Sequence, residues 1–174
     1  ILGEFAFVIW DKQKEIIFGA RDRLGIKPLF LHRPAKGGLW FASEIKALHA
    51  AGVTRKPDEV TWSTYLSTGI CDHTSRTFWK GIERLMPGES FLWSNNSLTK
   101  RKWYDPGFIA NFSDTDDRED LSGLLIDCVS SRFPDNLPGG ACLSGGMDSS
   151  LLLGLIHQVR GEFSSIHTFT FDTG

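Results

Sequence analysis

Cysteine is scarce in this chain of 174 residues. Cys71, Cys128 and Cys142 are odd in number and share no CxxC spacing, which indicates neither a disulfide framework nor a zinc knuckle. A reducing, cytoplasmic setting is therefore expected. No apolar run approaches the roughly 20 residues of a membrane span, and no charged-then-apolar secretory leader opens the chain. One-sided charge is missing too. Nineteen Lys and Arg against 21 Asp and Glu leave a net charge of −2, which argues against a generic binder of nucleic acid or other polyanions. Internal repeats and low-complexity tracts are absent. What is present is globular in composition, 41% hydrophobic and 12% aromatic, in a length that suits one ordinary domain or two small ones.

The near-neutral mean hides two different pieces. Residues 1–105 hold 16 basic and 11 acidic groups, whereas residues 106–174 hold 3 and 10. The first piece reads as sheet-rich. Phe5–Trp10 is apolar on both faces, as in a strand covered on both sides, and Glu15–Ala20 returns from the polar turn 11–14 as an antiparallel partner. Further strands are expected at 29–32, 39–42 and 90–93, with turns at Gly37-Gly38, 86–89 and Asn95-Asn96. Ser43 is placed to cap a short helix that Gly52 closes, and a second helix is expected over Asp58–Leu66.

An acidic, hydroxyl-rich stretch at 111–120 reads as a solvated linker running into a helix N-terminus. Leu121, Leu124, Leu125, Cys128 and Val129 then recur at helical spacing, which makes Cys128 a core thiol, and Pro134 and Pro138 end that helix. The ends invite one more expectation. Ile1 enters a buried-strand-like run, and SIHTFTFDTG stops on strand-like alternation, as in an internal fragment cut on both sides.

The most specific stretch is Gly139-Gly140-Ala141-Cys142-Leu143-Ser144-Gly145-Gly146-Met147-Asp148-Ser149-Ser150, followed by an apolar run to Gly161. It reads as a strand, a glycine-rich turn and a helix. Glycines let backbone N–H groups approach a ligand, the helix points its positive end at the same spot, and three serines add hydroxyls. Asp148 either caps the helix or holds a magnesium ion against phosphates. The Walker pattern is excluded, because its lysine is lacking.

This stretch resembles the pyrophosphate-binding SGGxDS loop of the ATP-pyrophosphatases. GEFAFVIWD, ARDRLGIKPLF, FASEIKALHA and GIERLMPGE, in that order, further resemble glutamine-hydrolysing asparagine synthetase from end to end. The resemblance implies a mixed α/β and α+β fold. Residues 1–105 are then part of an N-terminal-nucleophile glutaminase of stacked antiparallel sheets with helices, 106–120 a linker, and 121–174 the start of a parallel-sheet ATP-pyrophosphatase domain. It also implies ATP, aspartate and glutamine as small-molecule substrates, with Mg²⁺ as the cation. Neither nucleic acid nor membrane is implied as a partner.

Carried over residue by residue, Ser144, Gly145, Gly146, Asp148 and Ser149 match the pyrophosphate loop, with Asp148 the metal ligand. Leu143 matches a backbone contact to the adenine, and Phe171 a second nucleotide-contacting position; the plain alternative for Phe171 is a core aromatic in a strand. The family's nucleophile, an N-terminal cysteine, has no counterpart among the three internal cysteines, so no catalytic residue is assigned. Leu2 stands where the family commonly has an aspartate for the substrate's amino group, and Glu4, two places along a strand, is a partial substitute. Arg21, Arg23 and Lys27 invite a phosphate-binding reading, but Arg21 and Asp22 pinning a loop is favoured. Two alternatives stay open: a β-lactam-forming synthetase of the same architecture without glutaminase activity, and a non-catalytic nucleotide-binding relative.

Overall fold

A computed structural model describes residues 1–109, 121–133, 139–161 and 166–171. The expected linker over 111–120 and the prolines at 134 and 138 lie outside them. The chain divides into two compact units, Ile1–Phe112 and Ser113–Gly174.

In the first unit, β1 (Ala6–Asp11) and β2 (Ile16–Arg21) form the expected antiparallel hairpin. Its turn is built by Asp11, whose carboxylate accepts the N–H groups of Gln13 and Lys14 at 3.0 and 3.1 Å. Strands β6 (Glu89–Ser94) and β7 (Ser97–Lys102) form a second hairpin. Asn95 and Asn96, at φ 49° and 60°, give it the doubly positive turn that matches strand twist. The four join in the order β1-β2-β6-β7.

A second antiparallel sheet, β4-β3-β5, is made by β3 (Phe30–His32), β4 (Trp40–Ala42) and β5 (Ile82–Arg84). The two sheets share one core. Leu29, Leu31 and Leu85 meet Phe91 of β6, with Val8, Ile17, Trp93 and Leu98 packed around them. Gly19 is required there, because a Cβ on it would stand 2.3 Å from the Phe91 ring. Alternation along β3 sends Phe30 the other way, into a cluster with Leu48 of α1 (Ile45–Ala50), Val53 and Ile82. Sheet, sheet and helix therefore stack in three layers. Helix α2 (Glu59–Thr68) starts on Asp58, whose carboxylate accepts the Thr61 N–H at 2.9 Å, Arg76 Nη2 on its two oxygens at 2.9 and 2.8 Å, and Arg76 Nε at 3.3 Å. One helical turn, α3 (Pro106–Ile109), follows.

The second unit holds α4 (Leu121–Arg132), β8 (Gly139–Cys142), α5 (Met147–Arg160) and β9 (Ile166–Phe169). Strands β8 and β9 pair in parallel, Gly139 with Ile166 through Cys142 with Phe169. Val129, Ala141 and Ile156 form the core, with Phe133, Leu155, Val159 and Ile166 against them.

Four expectations are corrected. Helix α1 begins after Glu44 with no side-chain cap, so Ser43 does not cap it. β1 is not covered on both faces, since Ile9 and Trp10 are each 55% exposed. Cys128 is exposed rather than core, because Val129 beside it takes the buried position on α4. Phe171 lies beyond the end of β9 and is 90% exposed, which removes its reading as a core aromatic. Among the described residues no helix is long and apolar enough to cross a membrane.

Candidate functional site: the loop between β8 and α5

Chain direction and hydrogen bonding bring the SGGMDSS residues together. Leaving β8, Leu143 continues the ladder by donating its N–H to the Phe169 carbonyl at 2.8 Å. Gly145 then takes φ 77°, a left-handed conformation that costs a side-chain-bearing residue roughly 1–2 kcal/mol, and the space beside it is open to 4 Å. Gly146, back in the extended region, is the N-cap of α5.

Three serines knit this turn. Ser149 Oγ lies 3.1 Å from Ser144 Oγ, accepts the Ser144 N–H at 3.3 Å, and donates to the Gly146 carbonyl at 3.1 Å. Ser150 Oγ donates to the same carbonyl at 2.9 Å. The result is a preformed loop. The first N–H groups of α5 have no carbonyl one turn back, so donors and the positive end of a 14-residue helix converge on this turn.

Asp148 does not cap the helix, since the N-cap is Gly146; it sits exposed in the first turn of α5. It heads the face that continues through Leu151, Leu152 and Leu155, along a groove of about 390 Å³ between α4 and α5. Among the described residues no group of three or more His, Cys, Asp or Glu side chains is placed to hold a metal. A single carboxylate can hold Mg²⁺ only where phosphate oxygens and water complete the shell.

At the ends of the parallel strands, the half-buried Leu143 and the exposed Phe171 flank the loop. Between them Thr170 donates its hydroxyl to the Leu143 carbonyl. Sequence reasoning missed this residue; its only signal was a hydroxyl among the alternating positions of HTFTF.

The loop after β2 is structural, as favoured. The Arg21 guanidinium is spent on the carbonyls of Lys27, Leu85 and Gly25 at 2.8, 2.6 and 2.5 Å. Burial draws Arg21 below its ordinary pKa, against the opposing pull of Asp22. Asp22, 2% exposed, accepts the N–H groups of Leu24, Ile26 and Lys27. Burial disfavours its charge, but these N–H groups outweigh it and hold the carboxyl below the usual range. Arg23 lies over the Tyr104 ring, 5.2 Å from its centroid. Glu4 pairs with Lys27 at 3.5 Å, and both Glu4 and Leu2 precede β1, so strand alternation does not set Glu4 on the face of Leu2 as a substitute for an aspartate.

Two antiparallel sheets built from short hairpins, followed in the chain by a strand–glycine turn–helix unit, make a two-part chain. The glutamine amidotransferase domain model matches residues 1–104, and the chain belongs to that family. A second family model, asparagine synthase, matches residues 120–174. Asparagine synthetase (glutamine-hydrolyzing) 3 of Bacillus subtilis is 29% identical over 98% of this chain and 28% of its own length. Amidase chyE of Penicillium rubens is 32% identical over 92% of this chain and 24% of its length. Asparagine synthetase B (glutamine-hydrolyzing) of Escherichia coli is 32% identical over 86% of this chain and 22% of its length. The chain thus spans less than a third of each of these three relatives.

Proposed function

We propose that this chain is part of a cytoplasmic, glutamine-dependent asparagine synthetase. Residues 1–105 form part of its glutamine amidotransferase domain, 106–120 a connecting segment and 121–174 the start of its ATP-pyrophosphatase domain. The observation that carries the reading is the β8–α5 loop, a preformed cradle of serines and helix N–H groups in a chain whose first unit is an amidotransferase domain.

In the proposed reaction the β-carboxylate of aspartate attacks the α-phosphorus of ATP, and the bond to pyrophosphate breaks. Ammonia from glutamine then displaces AMP from the β-aspartyl-AMP to give asparagine. Adenylation is chemically apt, because AMP leaves far more readily than oxide. Ser144, Gly145, Gly146 and Ser149 form the turn that holds the departing pyrophosphate, whose developing charge is met by the Gly145 N–H and the N–H groups that open α5. Asp148 would hold Mg²⁺, which when bound supplies further charge neutralisation on the phosphates. Leu143 and Phe171, at the strand ends, take the nucleoside.

One observation favours a second reading, an enzyme of this architecture that does not use glutamine. Leu2 is apolar, 82% exposed and ahead of β1, and carries no group for an α-ammonium. The test is pyrophosphate release from ATP by the full-length protein with aspartate, supplied with either glutamine or ammonium. Release with both supports the synthetase; release with ammonium alone supports the second reading. Pyrophosphate release with neither would refute both for aspartate.

A further inference from the structure

The rim formed by the C-terminal ends of β8 and β9 offers acceptors where a nucleobase would lie. Leu143 spends its N–H on the Phe169 carbonyl at 2.8 Å, and its carbonyl receives the Thr170 hydroxyl. A hydroxyl that donates keeps its two lone pairs, and a carbonyl that accepts once keeps its second. Thr170 is exposed, so its oxygen is accessible from solvent. Ligands of open α/β sheets lie across the C-terminal ends of parallel strands. Phe171, 90% exposed one residue on, offers a face on which a base can stack.

We infer that Thr170 is a base-selecting residue: its hydroxyl oxygen, beside the Leu143 carbonyl, favours a purine that presents an exocyclic amine over one that presents a carbonyl. The inference rests on the nucleotide reading of the β8–α5 loop. Adenine directs a donor at such a rim, whereas guanine puts an oxygen at the same position, lone pair against lone pair. A polar site rejects the analogue that leaves its groups unpaired, and at a solvent-exposed rim the penalty is about tenfold.

The experiment is calorimetric titration of the full-length protein with inorganic pyrophosphate, ATP and GTP, each with Mg²⁺. Pyrophosphate and ATP should bind, and ATP should bind about tenfold more tightly than GTP. Thr170→Val should reduce that ratio to about twofold or less while leaving pyrophosphate affinity unchanged; Thr170→Ser should retain the ratio. Thr170→Ala serves in place of Thr170→Val should the latter fail to fold. Equal affinity of the wild-type protein for ATP and GTP overturns the inference alone, as does a ratio that survives loss of the hydroxyl, since the Leu143 carbonyl would then be selecting unaided. Failure of pyrophosphate itself to bind overturns the loop reading and this inference with it.

Discussion

Replacing Asp22 with asparagine should destabilise the first unit with almost no change in shape. The carboxylate is 2% exposed and accepts three N–H groups, from Leu24 at 3.1 Å, Ile26 at 2.9 Å and Lys27 at 2.9 Å. An asparagine oxygen can keep the first two, which share Oδ1, but its NH₂ then faces the Lys27 N–H, donor against donor. One buried donor left unpaired costs about 1–3 kcal/mol, and two bonds lowered from charge-assisted to neutral lose about 1 kcal/mol more in total. The sum is about 3 kcal/mol, a large share of the 5–15 kcal/mol typical of a domain. All six tryptophans lie in residues 1–105, so their fluorescence during urea unfolding reports this unit alone. The midpoint should fall by about 2 M for a urea dependence near 1.5 kcal/mol/M.

Acid supplies an internal control. The folded Asp22 pKa lies below the unfolded value, so the unfolded state binds more protons between the two and stability rises with pH there. Its contribution is complete above the unfolded value of about 3.9 and is lost as pH falls through the folded one. The gap between wild type and Asp22→Asn should therefore close progressively below pH ~4. Asp58 is depressed in the same direction but is common to both proteins, so it drops out of the difference. A variant within about 0.5 kcal/mol of wild type at pH 7, or a gap undiminished at pH 3, would refute the reasoning.

Gly145→Ala forces a side chain into φ 77° and should weaken pyrophosphate binding about tenfold, read by calorimetry, with the far-ultraviolet circular dichroism unchanged. Asp148→Asn should abolish the enhancement of ATP affinity by Mg²⁺ while leaving metal-free pyrophosphate affinity within about twofold; a Mg²⁺ response that survives removes Asp148 from the site. Gly19→Ala places a Cβ 2.3 Å from the Phe91 ring and should cost about 1–3 kcal/mol in urea unfolding; Phe91→Leu should relieve part of that penalty.

Turn chemistry was the most legible part of the fold, because it is local. Asp11, Gly37-Gly38 and Asn95-Asn96 each reverse the chain at the expected place, and Gly161 closes α5 at φ 74°. Pairing that depends on distant residues was not legible. β5 has three residues and no alternation of its own, and it is a strand only because Phe30–His32 pairs with it. Periodicity placed Cys128 on the apolar side of α4, but that stripe is wider than the face that Ile156 and Ala141 cover. At the site, the strand, glycine turn and helix could be read from residue types. The ties of Ser149 to Ser144 and of Thr170 to Leu143 could not, since they depend on how the turn and strand ends bring side chains together.

The order β1-β2-β6-β7 has a consequence for synthesis. Ala20 of β2 waits for Ser90 of β6, about 70 residues later, and the whole second sheet and two helices are made in between. At 5–20 residues per second, the first hairpin spends roughly 4–14 s on the ribosome with that edge unpaired. Val8 and Ile17, which pack against the core that Phe91 of β6 completes, stay uncovered throughout that interval. The nascent chain is therefore most vulnerable to capture by its neighbours, and most in need of a chaperone, before the β6–β7 hairpin emerges.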